Sequence, residues 1–304
     1  MIPSFLSPVN FYSNYLRRCF TTSGLSPQTL DVDDDTTIHF WGPKQAYEIT
    51  KKPSLVLIHG YGPVAIWQWR KQVQFFAPKF NVYVPDLVFF GGSTTRSSER
   101  SEIFQAASLA KLMKKVGVER YSVMGTSYGG FVAYHIARMW PERVEKVVIA
   151  SSGVNMRSRH SEALLKRANV EKVEDLMLPA TASQFRVLMS LAVFKQLNLV
   201  PDFLLNDVLN KLYADKRNEK LQLMKGISSL SLGDAISISP LQQEVLILWG
   251  EHDQIFPLEL ATELNELLGD KARLEVMKNT SHVPQIENPP LFNDIVNKFL
   301  CESS

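Results

Sequence analysis

Cysteine is nearly absent from this chain: only Cys19 and Cys301 occur in 304 residues, close to opposite ends. Two thiols make no disulfide framework, so a packed core must hold the fold, and a reducing compartment is the expectation. No run of 18 apolar residues occurs, which argues against a transmembrane helix. Excess charge is missing too. The 33 basic and 31 acidic residues leave a formal net charge of +2, and nothing in that balance calls for nucleic acid as a partner. Neither a G-x-G-x-x-G nor a phosphate loop is present, so no nucleotide is expected. His252 has no second His, Cys or carboxylate at ligand spacing, so no metal is expected either. One further absence is local: no acidic residue precedes Asp31.

What is present reads as an ordinary globular chain, 45% hydrophobic and 21% charged, long enough for one large domain with a substantial insertion. Short apolar runs alternate with segments of helical period, the signature of a mostly parallel sheet covered on both faces. Residues Ser54–His59, Asn81–Pro85, Tyr121–Gly125, Val144–Ser151, Val245–Gly250 and Ala272–Met277 read as strands. Their almost unbroken apolar character fits strands buried on both sides. Thr36–Trp41 reads as an earlier, antiparallel edge strand. Ser101–Val116 reads as a helix, with Ile103, Ala107, Ala110 and Met113 at helical spacing.

The most informative residues are Gly125-Thr126-Ser127-Tyr128-Gly129, a G-x-S-x-G between an apolar strand and a helix-like run. At such a junction the turn is tight enough to strain the middle residue, and the flanking glycines remove side chains that would clash. Ser127 is left at the tip. His59-Gly60-Tyr61-Gly62 follows another strand and supplies a loop whose backbone N–H can meet a developing oxyanion. Asp253 closes the strand Val245–Gly250, and His282 follows the strand Ala272–Met277. Nucleophile, acid and base thus come in the order Ser127, Asp253, His282, which is neither the trypsin-like nor the subtilisin-like order.

A serine hydroxyl needs a base to take its proton, and His282 has a suitable intrinsic pKa. Asp253 would orient the imidazole, and the backbone N–H groups of Tyr61 and Tyr128 would form the oxyanion hole. Each has a duller reading. Asp253 could cap the helix starting near Leu258, with Glu251 as a rival acid, and His282 could be a plain loop histidine. His59 more simply braces the oxyanion loop than moves a proton.

These residues resemble the α/β-hydrolase superfamily from about Thr36 to Leu300. Tyr83–Ser93 and Trp249–Pro257 are similar to plant serine esterases and lipases of the epoxide-hydrolase-like or monoacylglycerol-lipase-like kind. Epoxide hydrolases of this fold carry Asp at the elbow, whereas Ser127 suits acyl transfer. The resemblance implies a mostly parallel eight-stranded sheet flanked by helices, with a helical cap inserted after the sixth strand. It favours Asp253 over Glu251, because Gly-x-x-Asp after a strand is where the family carries the acid. Residues 31–154 and 241–304 then form the core, and 155–240 the cap. There, Ser161–Ala168, Ala182–Phe194, Pro201–Ala214 and Arg217–Ser229 read as helices, and no strand is convincing. Phe185, Met189 and Phe194, with Phe203, Leu204 and Met224, are candidates for the pocket wall, although most such residues should simply join helix to helix.

Residues 1–30 form a separate, aromatic-rich segment with Arg17 and Arg18. It is a poor secretory signal, and three readings stay open: packing beside the site entrance, contact with a membrane surface, or an organelle presequence. The expected partner is a small, lipophilic, uncharged ester, handled without a cofactor, and the oligomeric state is not set. Two rival functions share the motif. A C–C bond hydrolase of the ring-cleavage type would need cations near the site, for which Arg70, Arg157 and Arg186 are candidates. A hormone-like receptor could keep a slow triad.

Overall fold

Apolar runs of five to seven residues carry one backbone donor and one acceptor at nearly every position, so they bury themselves only by pairing side by side. The computed structural model describes residues 6–44, 52–195, 200–230 and 238–302. Phe5 of the N-terminal aromatic set and residues 196–199 and 231–237 of the expected cap lie outside them. The strands are β1 (Leu25–Asp31), β2 (Thr36–Pro43), β3 (Ser54–Ile58), β4 (Asn81–Pro85), β5 (Thr94–Thr95), β6 (Tyr121–Thr126), β7 (Val144–Ala150), β8 (Glu244–Gly250) and β9 (Ala272–Met277). Eight of them run in the order β1-β2-β4-β3-β6-β7-β8-β9, and the two-residue β5 pairs with β2 off that path. From β4 to β9 all neighbours are parallel, while β1, β2 and β5 pair antiparallel.

The parallel strands divide their side chains between two cores. Val56, Ile58, Val123, Ile149 and Ile247 pack on one face. Leu55, Leu57, Met124, Val148 and Leu246 pack on the other. Period-two alternation with both faces buried is why these strands read as continuous apolar runs. Each fully buried side chain of this size contributes roughly 1.5–3 kcal/mol.

The sheet extends further toward the N-terminus than the sequence indicates. Thr36–Pro43 is antiparallel as expected, but β1 lies outside it and forms the edge. Its sequence, LSPQTLD, buries only one end fully, so it lacks the apolar signal of an inner strand. Before it, the helix Pro8–Thr22 buries Val9, Leu16, Cys19 and Phe20, with the Phe20 ring 5.3 Å from Trp41.

Between β7 and β8 lie the helices Ser158–Ala168, Val173–Met177, Ala182–Ala192, Asp202–Val208 and Arg217–Leu230. Pro201–Ala214 is not one uniform helix: Leu209–Tyr213 widens into a π-turn, with Ala214 N–H donating to Leu209 O. These helices share a third core built on Leu164, Leu176, Phe185, Leu188 and Leu205, joined by Val9 of the N-terminal helix and by Ile255.

One buried carboxyl has a measurable consequence. Ser101 caps the helix Glu102–Lys115, and Glu102 in its first turn is 2% exposed with Oε2 lacking a hydrogen-bond partner. Burial pushes its pKa up from 4.5 to about 6. A carboxyl raised on folding stabilises fully below its unfolded pKa, and that contribution is lost as pH rises through the folded value. The shift corresponds to about 2 kcal/mol. Glu102→Gln should therefore gain about 2 kcal/mol on the parent between pH 4 and pH 7.5, read by urea unfolding at both values. A gap independent of pH would refute the assignment.

Candidate active site

Strand β6 ends at Thr126, and the helix Tyr128–Met139 begins two residues later, leaving Ser127 as the whole connection. Its φ of 52° lies in the left-handed region, where a non-glycine residue is strained unless its surroundings hold it. They do: Ser127 N–H donates to Ala150 O at 2.9 Å, and Ser152 Oγ donates to Ser127 O at 2.6 Å. A Cβ on Gly125 would overlap the Gly129 carbonyl, and one on Gly129 would overlap the Ile58 carbonyl. The two glycines are the condition for the turn.

The parallel register brings the other groups to the same edge. Ile58 pairs with Gly125, Thr126 with Ala150, Ala150 with Leu248, and Gly250 with Met277. Loops leaving these strand ends therefore emerge side by side. His282 Nε2 lies 3.0 Å from Ser127 Oγ, and His282 Nδ1 lies 2.9 Å from Asp253 Oδ2. All three residues are under 10% exposed. The second Asp253 oxygen accepts from the N–H groups of Ile255 and Phe256, both at 2.9 Å, which fixes the carboxylate plane. The Phe256 ring then meets His282 edge-on at 5.4 Å. Glu251 points elsewhere, 3.5 Å from His252. The His282 loop is also tied to the inserted helices: His282 N–H donates to Ala192 O, and Ser281 Oγ to Leu191 O.

His59 braces the loop after β3. Leu87 N–H donates to its Nε2 at 3.0 Å, and its Nδ1 faces Gly60 O at 2.8 Å. An imidazole that accepts at one nitrogen and donates at the other is neutral. Burial pushes its pKa down, in keeping with that form. The loop presses on the nucleophile so closely that a Cβ on Gly60 would come within 3.0 Å of Ser127 Cβ. Tyr61 and Tyr128, whose N–H groups are the candidate oxyanion donors, both border the cavity beside Ser127, with ring centroids 6.1 Å apart. Tyr128 opens its helix, so its N–H has no carbonyl partner within that helix. Tyr61 is held from its far end, the hydroxyl donating to Lys220 O at 2.5 Å.

The cavity beside Ser127 measures about 60 Å³ and is walled by Phe131, Met156, Leu164, Met177, Met224 and Phe256, among others. Of the residues singled out for the wall, Met224 reaches it, whereas Phe203 and Leu204 do not. Nor do Phe185, Met189 and Phe194. Phe185 packs on Tyr213 at 5.7 Å, Met189 packs into the core between the inserted helices, and Phe194 stacks on His252 at 4.7 Å. Helical spacing identifies an inward-facing stripe but not the element it faces, and here the stripe serves helix-to-helix packing. Met156 and Met177 were missed because they sit in a loop and a five-residue helix with no readable period. Phe256 carried a signal, being three residues past Asp253.

The candidate cations are all occupied elsewhere. Arg186 pairs with Asp202 at 2.5 Å, Arg157 with Glu263 at 2.5 Å, and Arg70 lies over the Tyr15 ring at 5.6 Å. None of them borders the cavity.

With this geometry in place, comparison with known proteins is informative. Residues 53–289 match the family model for the alpha/beta hydrolase fold. The chain is 27% identical to a 2-hydroxymuconate semialdehyde hydrolase of a Pseudomonas strain, over 82% of this chain and 87% of that protein. It is 24% identical to a carboxylesterase of Bacillus subtilis, over 86% of this chain and 82% of the esterase. A crystal structure of a putative lipase from Acinetobacter baumannii superposes with a TM-score of 0.79 at 22% identity, covering 95% of each chain. At that identity the likeness is one of fold.

The hydrogen-bonded chain through His282 generates a direct test. Fluorophosphonate should label Ser127 and nothing else, and Ser127→Ala should abolish labelling while changing stability by no more than about 1 kcal/mol. Asp253→Asn should slow labelling on the order of 100-fold, since it upsets the imidazole tautomer. Glu251→Gln should label at the parental rate. Labelling of Ser127→Ala, or greater damage from the Glu251 variant, would overturn the assignment.

Proposed function

The chain belongs to the α/β-hydrolase family, and we propose that it is a serine hydrolase cleaving a lipophilic, uncharged carboxylic ester through an acyl-enzyme. The observation that carries this reading is the hydrogen-bonded chain from Ser127 through His282 to Asp253, set against an apolar cavity. Ser127 Oγ attacks the acyl carbon while His282 Nε2 takes its proton. Asp253 keeps the imidazole in the tautomer that can accept and stabilises the cation that forms. The oxyanion is met by the N–H groups of Tyr61 and Tyr128, each such donor typically contributing roughly 3 to 4 kcal/mol at the transition state. His282 returns the proton to the departing alcohol, then activates the water that releases the acid.

Residues 155–240 act as a cap in this reading, since Leu164, Met177 and Met224 from its helices border the cavity. The apolar wall and the engagement of Arg70, Arg157 and Arg186 elsewhere favour an ester over a carboxylate-bearing dicarbonyl. Burying an unpartnered carboxylate there would cost several kcal/mol. Ser127 at the elbow, in a chain whose Tyr83–Ser93 and Trp249–Pro257 are similar to plant esterases and lipases, also points to acyl transfer rather than epoxide opening.

The apolar wall sets the expected trend with acyl length. Along a series of neutral alkanoyl esters, kcat/KM should rise by at most about 0.8 kcal/mol per methylene and level off once the cavity is full. Met177→Ala or Met224→Ala should move that limit to longer chains without abolishing turnover. The decisive comparison sets matched neutral and carboxylate-bearing esters beside a dienol-ketone. Preference for the anionic ester, or turnover of the dienol-ketone alone, would replace the ester reading with a C–C bond hydrolase. Labelling of Ser127 without steady turnover of any ester would favour a receptor.

A further inference from the structure

The helix Pro8–Thr22 turns Val9, Ser13, Leu16, Cys19 and Phe20 inward. Phe11, Tyr15 and Arg18, spaced four and three residues apart, run along the opposite side. Phe11 is 63% exposed, Tyr15 49% and Tyr12 42%, and Leu6 just before the helix is 55% exposed. A single exposed apolar residue is ordinary, but four large ones along one short segment form a patch.

The charged side chains of the two helices at this patch are of one sign, although Asp86 and Asp215 line the cleft beside Arg17. No acidic residue occurs before Asp31, and the adjoining helix Ala65–Phe76 has none either, while the two helices carry Arg17, Arg18, Arg70 and Lys71. These helices are in direct contact: Tyr12 meets Trp67 edge-on at 4.9 Å, and Trp67 Nε1 donates to Ser13 Oγ at 3.1 Å. Arg18 on the outer side and Arg70 over the Tyr15 ring thus border the aromatic face in a chain whose overall net charge is only +2. The helix is firmly seated as well. Asp207 Oδ2 accepts from Ser7 Oγ at 2.7 Å and from Val9 N–H at 3.1 Å, both buried contacts.

A rigid helix with an aromatic outer face, flanked by arginine and free of acid, is the chemistry of an anionic bilayer surface. We propose that residues 6–22 dock this protein on anionic lipid membranes, with Phe11, Tyr12 and Tyr15 at the acyl boundary and Arg17 and Arg18 among the headgroups. Docking of this kind would deliver a lipophilic ester to the cavity, although the surface does not depend on that activity.

Co-sedimentation of the full chain with vesicles tests the proposal without any substrate. The protein should partition onto phosphatidylcholine–phosphatidylglycerol vesicles, more weakly onto phosphatidylcholine alone, and less in high salt. Each arginine near an anionic surface contributes roughly fivefold, so Arg17→Gln with Arg18→Gln should lower partition about 25-fold on the mixed vesicles. Phe11→Ser with Tyr15→Ser should lower it on both vesicle types by about tenfold or more. All four side chains are exposed, so both double variants should keep the parental Tm. Absence of binding to the mixed vesicles, or parental binding by both variants, would overturn the proposal. So would light scattering showing that the parent self-associates and the Phe11/Tyr15 variant does not, which would assign the face to a second copy.

Discussion

The site depends on the alignment of parallel strand ends. Parallel pairing fixes which residue of one strand sits beside which residue of the next, so the last residues of β3, β6, β7, β8 and β9 form one edge. Loops leaving that edge have only a few ångströms to choose from. Gly129 resting on the Ile58 carbonyl locks the nucleophile turn to the oxyanion loop, and a slip of one residue would break that contact and invert every side chain between the two cores. The chemical groups inherit their positions from the hydrophobic pattern of strands that never touch a ligand.

Legibility in the sequence follows the same division. Strands buried on both faces announce themselves, and the six strands read this way from the sequence lie where the structure has them, within a residue or two, although β9 proves to be a half-exposed edge strand. Ser127, Asp253 and His282 were legible because each lies within five residues of the end of a strand read from the sequence. β1 was not, since an edge strand carrying Pro27 and alternate exposure resembles a loop. The two-residue β5 is too short to have any pattern. The cavity wall was the least legible part. Met156, Leu164 and Met177 meet there from three separate segments, and which side of an apolar helix faces a ligand is decided by packing between helices. Local periodicity holds no information about that.

Polar groups around the site serve position more than reaction. His59 is spent on two backbone hydrogen bonds, Ser152 on the carbonyl of the nucleophile, and Tyr61 on the carbonyl of Lys220. Buried hydrogen bonds of this kind contribute about 1 kcal/mol each and, more to the point, leave little freedom to the atoms they hold. The wall they surround is almost bare of polar groups, which leaves Ser127 and the two neighbouring tyrosines as its polar end.

The contact between Asp207 and the start of the N-terminal helix joins residues 200 positions apart in the chain. Ser7 caps the helix locally, yet the Asp207 carboxylate that accepts from Ser7 and Val9, and the inserted helices that Val9 packs on, emerge only after the sheet through β7 has been made. The first turn of the helix must therefore wait for that carboxylate while two-thirds of the protein is synthesised, even though Phe20 and Tyr12 meet Trp41 and Trp67 early. Contacts of such sequence separation are slow to form and leave apolar surface open to aggregation in the meantime. Whatever end use that amphipathic helix has, the nascent chain carries its first turn without that anchor until the inserted helices are made.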